Sequence, residues 1–442
     1  MIKHLAAQLI FIIPASTGAF IFLFPVVSID KQTIVFGILT DFFHLHLGRM
    51  LDELLLLIVA IAAVGGIVST LRSQKSPPHT LFSEAFDLSF GWLSLRIAGF
   101  VVVACVYLDI GPEIIRLPDT GITVVKDIGL NIVVIYLVGL ALMPLMTDYG
   151  LMEFVGAYCK PFFRKLFNLP GRAAVDTLTS VVSASSIGLL VTISQYEKGR
   201  YNAREASIIA SNFSIVSIPF ALVIASITNI DHIFFGWYFT VIISSLMAAV
   251  VMSRIPPLAL IPETRLAPLN EEADSTGWTF AYQSALAQAK RAPGPVLYVR
   301  LFIRNFIVTA FGVLGPCMAI ATLASIILFH TPVINWLVTP ITMMLTLFSV
   351  IEAELIAPGL VAGFGDQFLP ALVATKIQAE FWRFIVAGLS VTQLIFMSEF
   401  GMLVLRSSLP INFTSLAAIF LLRTLLTLPV LSAGAWVLTS GS

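Results

Sequence analysis

The chain has 442 residues, 58% of them apolar and only 11% charged, with 25 basic side chains balanced by 25 acidic ones. A soluble domain carries roughly 25% charged residues, so most of this apolar surface must face lipid, and a soluble globular domain is excluded. The neutral balance also argues against nucleic acid as a partner, because phosphate binding needs a basic surplus. Three widely spaced cysteines, Cys105, Cys159 and Cys317, offer neither a disulfide framework nor a zinc spacing.

A hydrocarbon core of about 30 Å takes about 20 apolar residues per helix. The first such run, 6–27, follows Lys3 and lacks a small-residue cleavage site, which predicts a first membrane span and not a removable leader. Further runs lie at 51–71, 90–109 and 128–147. Between the first two sits Asp41-Phe42-Phe43-His44-Leu45-His46-Leu47, with Asp52 and Glu53 behind it; the spacing suits either a metal ion or an external interfacial loop. The segment 148–168 mixes Tyr149, Phe154, Tyr158, Phe162 and Phe163 with Lys160, Arg164 and Lys165, which predicts an amphipathic helix along the inner interface. Next comes a weaker run at 173–194, broken by Ser180, Ser183, Ser185, Ser186 and Gly188, and then spans at 204–228 and 232–253. A polar stretch, 255–298, opens on Ile255-Pro256-Pro257 and reads as a cytoplasmic linker with a surface helix from Trp278 to Arg291. The second half holds spans at 305–329, 381–404 and 412–437, and a second weak run at 345–371 interrupted by Glu352, Glu354, Pro358, Gly359, Gly363 and Gly365.

An interrupted helix facing lipid would leave backbone groups unpaired, so interruptions survive only inside protein or along a watery cavity. The two weak runs therefore predict re-entrant helical hairpins. The expected fold is an all-α integral membrane protein with about nine transmembrane helices plus two re-entrant hairpins in inverted repeats. Placing the N-terminus in the cytoplasm puts most of the 25 Lys and Arg on the cytoplasmic side, and the C-terminus outside. The first hairpin then enters from the cytoplasm and the second from outside, the inverted arrangement of many secondary transporters. A short echo, Phe213-Ser214-Ile215-Val216 against Leu389-Ser390-Val391-Thr392, fits that symmetry. The expected divisions are N-terminal helices over 1–127, a first repeat over 128–254, the linker over 255–298 and a second repeat over 299–442.

Charged groups within the bilayer are costly and mark functional candidates. Glu352 and Glu354 fall in the second hairpin, where carboxylates at a broken helix can hold a cation or proton, or simply favour a helix N-terminus. Glu399 lies late in the 381–404 run and is able to reach the same cavity or to pair with Arg406. Gln393, beside Ser390 and Thr392, offers hydrogen bonds to a polar solute or to a neighbouring helix. Arg423 sits mid-way along the last span and, always charged, must meet a carboxylate, backbone carbonyls or an anion; pairing with Glu399 or a hairpin acid is the leading expectation. In the first half, Ser183, Ser185, Ser186, Asn212, Ser214 and Ser217 form a candidate solute lining, and Asp176 reads as a cap. There is no Gly-Lys-Ser/Thr phosphate loop, no Gly-x-Gly-x-x-Gly fingerprint and no His-Glu-x-x-His, which argues against a pump driven by ATP and against a membrane protease.

Two stretches resemble a known family. One runs from Leu169-Pro170-Gly171-Arg172-Ala173-Ala174-Val175-Asp176 through Ser183-Ala184-Ser185-Ser186-Ile187-Gly188 to Arg204-Glu205-Ala206 and Asn212-Phe213-Ser214-Ile215-Val216-Ser217-Ile218-Pro219; the other is Phe396-Met397-Ser398-Glu399-Phe400 with Arg423-Thr424 and Pro429. Their order resembles the bacterial YjiH-like membrane proteins, which carry the Gate, or nucleoside-recognition, module. That module is related to the core of concentrative nucleoside transporters. Glu352-Ala353-Glu354-Leu355-Ile356-Ala357-Pro358 looks like their Glu-Ala-Pro-Leu hairpin, departing from it at Glu354 and in the spacing of Glu and Pro. Ser398-Glu399-Phe400 looks like their Asn-Glu-Phe, with Ser in place of Asn. In those transporters the matching residues contact nucleoside and ion.

The sequence therefore predicts a non-enzymatic secondary transporter in the bacterial inner (cytoplasmic) membrane. It would move a small polar solute such as a nucleoside, coupled to Na+ or H+, with no cofactor and no metal. Ser185, Ser186, Asn212, Ser214, Glu352, Gln393 and Glu399 are the expected substrate contacts, and Glu352, Glu354, Glu399 and Arg423 the expected coupling groups. Membrane lipids are its surroundings, and a homo-oligomer is left open. The alternative is a non-transporting membrane gate or assembly component that acts with a partner protein.

Overall fold

A computed structural model describes residues 2–27, 32–72, 80–171, 173–174, 177, 185–213, 216–266, 277–332, 335–347 and 349–439. The described chain is almost wholly helical: α1 (Ile2–Leu23), α2 (Val35–Leu47), α3 (Arg49–Leu71), α4 (Leu81–Phe86), α5 (Phe90–Leu108), α6 (Leu130–Leu142, continuing a π-helical stretch Pro118–Gly129), α7 (Pro144–Thr147), α8 (Leu151–Phe167), α9 (Ser185–Glu197), α10 (Ala203–Phe213), α11 (Ile218–Ile227), α12 (Phe234–Met252), α13 (Trp278–Ala289), α14 (Pro295–His330), α15 (Asn335–Leu347), α16 (Ala353–Ala362), α17 (Leu369–Ala374), α18 (Glu380–Thr392), α19 (Met402–Arg406) and α20 (Phe413–Thr439). A short antiparallel ribbon pairs Pro25–Val27 with Gln32–Ile34.

Helix satisfies every backbone group within one segment, which is why lipid-facing chain takes this form. Among the described residues six helical stretches are long and apolar enough to cross a membrane: Arg49–Leu71, Phe90–Leu108, Pro118–Thr147, Asp231–Met252, Pro295–His330 and Phe413–Thr439. They cover six of the nine apolar runs read from the sequence. Two other runs differ from a continuous span. The run 204–228 is divided into α10 and α11, with Val216 and Ser217 non-helical and Pro219 opening α11; Pro is tolerated there because the first helical N–H has no partner to lose. The run 381–404 is divided at Gln393–Phe396, where Leu394 adopts a φ of +59°. A π-helical turn, Met397–Gly401, and α19 follow the break. The segment Asp41–Leu47, expected as a loop or metal site, lies within helix α2, where His44 Nε2 meets Asn131 Oδ1 at 2.9 Å.

The chain forms two compact units. One comprises residues 36–142 and 293–340. Its strut is α14, which packs on α3, α4, α5 and α6. Helices α5 and α14 approach backbone to backbone at Gly99, where an added Cβ would fall 1.9 Å from Gly315 O. Arg96, 2% exposed, lies beside this contact and donates to Ala85 O at 2.7 Å.

The other unit comprises residues 1–35, 143–292 and 341–442. Here α12, α18 and α20 pack on one another, and Trp237 Nε1 donates to Phe384 O at 3.2 Å. The run expected as a second hairpin folds into α16 and α17, which pack together across a turn at 363–368 and lie on α18. The first half of the hairpin expected over 173–194 lies mostly outside the described residues, and its second half is covered by the helix α9. The amphipathic segment is α8, and the linker helix α13 docks on α8 and α1 around Phe11, Ala15, Ala285, Leu286 and Ala289. Gly150, at a φ of +101°, permits this docking, because a Cβ there would sit 2.4 Å from Ala285 O.

Candidate functional site

The site grows from the two divided helices. A helix ends with carbonyls that have no intrahelical partner and with about half a negative charge from its aligned peptides. Both α10 and α18 end inside the unit, so both ends need an answer. Arg423, fully buried on α20, supplies it for α18 and reaches a side chain at the end of α10. Its Nε and Nη2 donate to Thr392 O, the last carbonyl of α18, at 3.0 and 2.8 Å. Its Nη1 donates to Asn212 Oδ1, one residue from the end of α10, at 2.7 Å. Asn212 is oriented by its own amide hydrogens, which donate to Ile208 O at 3.2 Å and Ser211 Oγ at 3.0 Å. Among the described residues Arg423 thus binds one helix-end carbonyl and one side-chain amide oxygen, both neutral; the side chain of Glu399, its expected partner, lies outside those residues.

Gln393, the first residue of the break in the 381–404 run, joins the same place to the hairpin. Its Nε2 donates to Leu360 O near the end of α16 at 2.9 Å and to Thr424 Oγ1 on α20 at 3.0 Å. Its Oε1 is buried without a hydrogen-bond partner among the described residues. That oxygen presses on Gly363, where an added Cβ would lie 1.9 Å from it. The hairpin turn is pinned to the break again by Met397 N donating to Phe364 O at 2.8 Å, and Ser390 Oγ donates to Gln367 O at 2.5 Å. Gln367 Nε2 is a second buried polar atom without a partner among the described residues. Buried amides with an open acceptor and an open donor are what a polar solute would find on entering.

The structure therefore brings Asn212, Gln393 and Arg423 together. It holds Glu352 and Glu354 apart from them. The Glu352 carboxylate accepts from Gln378 N at 2.9 Å and Ala379 N at 3.0 Å, at the start of α18, where a negative charge is favoured. Glu354 is exposed. Leu360, the hairpin contact of Gln393, is eight residues beyond Glu352, about 12 Å along the helix. Ser214, Ser183 and Asp176 lie outside the described residues, as do the side chains of Ser185, Ser186 and Glu399; the backbone of Glu399 is in the π-helical turn just past the break. Sequence reasoning missed Gln367 and read Gly363 only as an interruption of the helix. The polar pair Asp366-Gln367 in an otherwise apolar turn was the available signal.

A separate cavity of about 170 Å³, lined by Asn168, Asn202, Arg204, Glu205, Ser253 and Glu263, lies at the opposite end of α10. There Asn202 and Glu205 cap the helix reciprocally, each side chain accepting from the other's backbone N–H at 2.8 Å. Asn202 and Asn212 are ten residues apart, about 15 Å along the helix, so this cavity is not the Arg423 cluster.

Comparison with known proteins gives two matches. A family model described as nucleoside recognition, Gate, matches residues 129–231, a stretch that includes Asn212 and the division between α10 and α11. An uncharacterized protein of Alkalihalophilus pseudofirmus is 36% identical over 435 residues, covering 96% of this chain and 93% of the relative. No solved structure matches.

Proposed function

The chain belongs to the YjiH-like bacterial membrane proteins that carry the nucleoside-recognition module, and from that premise we propose that it is a secondary transporter of a small polar solute, with nucleosides the first class to test, coupled to Na+ or H+. The observation that carries this reading is the meeting of two divided helices and a hairpin turn around Asn212, Gln393 and Arg423. Divided helices whose ends converge are where secondary transporters bind solute and coupling ion. In this reading Asn212, Ser214, Ser185, Ser186 and Gln393 line the solute, with the Gln393 Oε1 accepting from it. Glu399, just past the break, is the coupling carboxylate nearest the solute. Glu352 and Glu354, at the base of the hairpin, meet the ion at the mouth of its path. Arg423 neutralises the two helix ends and keeps them together. The hairpin limbs re-enter the bilayer, and the N-terminus is cytoplasmic, as the basic residues favour.

A thermal-shift panel of nucleosides, bases, amino acids and organic acids, with and without Na+ and at two pH values, tests the reading, because a ligand of the folded state raises the melting temperature by mass action. Stabilisation by a nucleoside that is lost in Gln393→Ala, followed by uptake into proteoliposomes, supports it. Stabilisation without uptake in any gradient sinks transport while leaving the binding site.

One observation favours a second reading, a non-transporting gate that acts with a partner protein. Asn212, Thr392, Gln393 and Arg423 are each at most 2% exposed, a closed cluster such as a fixed structural seal would have. A panel with no stabilising solute would transfer the weight to that reading.

A further inference from the structure

We propose that the groove between α8 and α12 binds an anionic phospholipid, one acyl chain lying in the groove and the phosphate resting on Lys165 and Arg254. This goes beyond the transport reading and stands whether or not that reading holds.

The groove has a volume of about 300 Å³, and Phe162, Leu166, Leu246, Met247, Val250 and Val251 form its lining. Phe162 and Met247 are about half exposed, at 50% and 51%. An open apolar groove of this kind at the surface of a soluble protein would be a liability; beside a membrane span it is a seat for a lipid chain. Its depth fits. Helix α12 is one of the membrane-length helices and ends at Met252, so residues 246–251 are its last turn and a half, and the end of the groove falls where lipid head groups lie.

The charges fit as well. Arg254 closes the end of the groove: Nη2 donates to Leu166 O at 2.7 Å, bridging the ends of the two helices, and Nη1 donates to Ser253 Oγ at 3.1 Å and to Val250 O. A guanidinium has five N–H donors, and among the described residues these contacts leave the Nε–H and a second Nη2 hydrogen for a phosphate oxygen. Lys165 follows Phe162 by three residues, so it flanks the same edge of α8, and it is exposed. Tyr158, one turn before Phe162 and 65% exposed, continues the strip with the ring-and-hydroxyl character favoured at membrane interfaces. An apolar slot ending in one anchored cation, with an exposed lysine on the same edge, is the complement of a diacyl phosphate headgroup. It suits a zwitterionic lipid less well, because the choline nitrogen would meet the same cations.

The test is native mass spectrometry of the full-length protein released from detergent in the presence of equal amounts of phosphatidylglycerol and phosphatidylcholine with identical chains. Phosphatidylglycerol is expected to be retained preferentially. Lys165→Gln should cut the preference about fivefold, and Met247→Trp, which fills the groove from an exposed position, should remove the adduct. Both variants should melt with wild type. Equal retention of the two lipids, or a preference unchanged in both variants, overturns the proposal. So does a Met247→Cys cross-link joining two copies in lipid-free detergent, which would make the groove a protein contact.

Discussion

The Arg423 guanidinium and the Asn212 side-chain oxygen meet at 2.7 Å although 211 residues separate them in the chain. The contact ties the end of a divided helix from the first half to a continuous helix at the C-terminus, and through Thr392 O to the divided helix of the second half. Removing either side leaves a buried polar group without its partner. Asn212→Leu and Arg423→Met are each expected to lower stability by about 1–3 kcal/mol, the range for interhelical hydrogen bonds in membranes and for hydrogen bonds to charged groups. The double variant should cost less than the sum of the singles. Thermal unfolding of the four proteins in one detergent checks this, and additive losses would mean the two residues act separately.

Gly363 is the place where a single methyl group reaches the candidate site. Its Cβ would fall 1.9 Å from Gln393 Oε1, so Gly363→Ala must displace the glutamine from Leu360 O and Thr424. The expected result is loss of solute-induced stabilisation and of uptake with a modest loss of stability. Gln393→Ala in the same chain should restore the melting temperature but not the solute response. Recovery of both would show that Gln393 is a spacer.

Burial raises the carboxyls of Asp148 and Glu153 above their ordinary values, opposed at Asp148 by the Thr147 hydroxyl and reinforced at Glu153 by the charge of Asp148. A raised folded-state value means that the folded protein holds the proton more tightly than the unfolded chain. The stabilisation is complete below the ordinary carboxylate range and is lost as pH rises through the raised values. The melting temperature should therefore fall as pH rises above the ordinary carboxylate range. Glu153→Gln should raise it at the upper pH and flatten the dependence; an unchanged slope would mean that this carboxyl does not titrate in the window.

Glu352 and Glu354 separate by experiment as they do in space. The Glu352 carboxylate closes two backbone N–H groups at the start of α18, so Glu352→Gln should cost about 0.5–2 kcal/mol. It should also speed amide exchange at Gln378 and Ala379. Glu354→Gln, at an exposed position, should leave both unchanged. Faster exchange in the Glu354 variant would refute the assignment.

Much of the architecture was legible because hydropathy measures the one constraint lipid imposes. Six long runs gave six long helices, and the run holding Pro358, Gly359 and Gly363 gave short helices and a turn, because those residues weaken a helix wherever they fall. The division of the 381–404 run was not legible. It occurs at Leu394, a residue that rarely takes a positive φ, with no Gly or Pro from Phe381 through Phe400 except Gly388, which lies inside α18. Tertiary contacts from Arg423, Leu360 and Phe364 hold that break open. The sequence likewise showed that Arg423 needs an acceptor. Backbone carbonyls were among the acceptors expected, and Thr392 O is one; helix ends carry no residue label, so which carbonyl it would be could not be read from composition.

The backbone contact between Gly99 and Gly315 has a consequence for biosynthesis. The surface of α5 around Gly99 is complementary to a helix synthesised more than 200 residues later. At roughly 5–20 residues per second, translation leaves that surface uncovered for on the order of ten seconds or longer. In that interval α5 carries an arginine, Arg96, that is buried in the finished fold but still lacks its neighbour Gly315. A stall between the two glycines would strand the ribosome-bound chain with the Gly99 face of α5 still lacking its partner backbone.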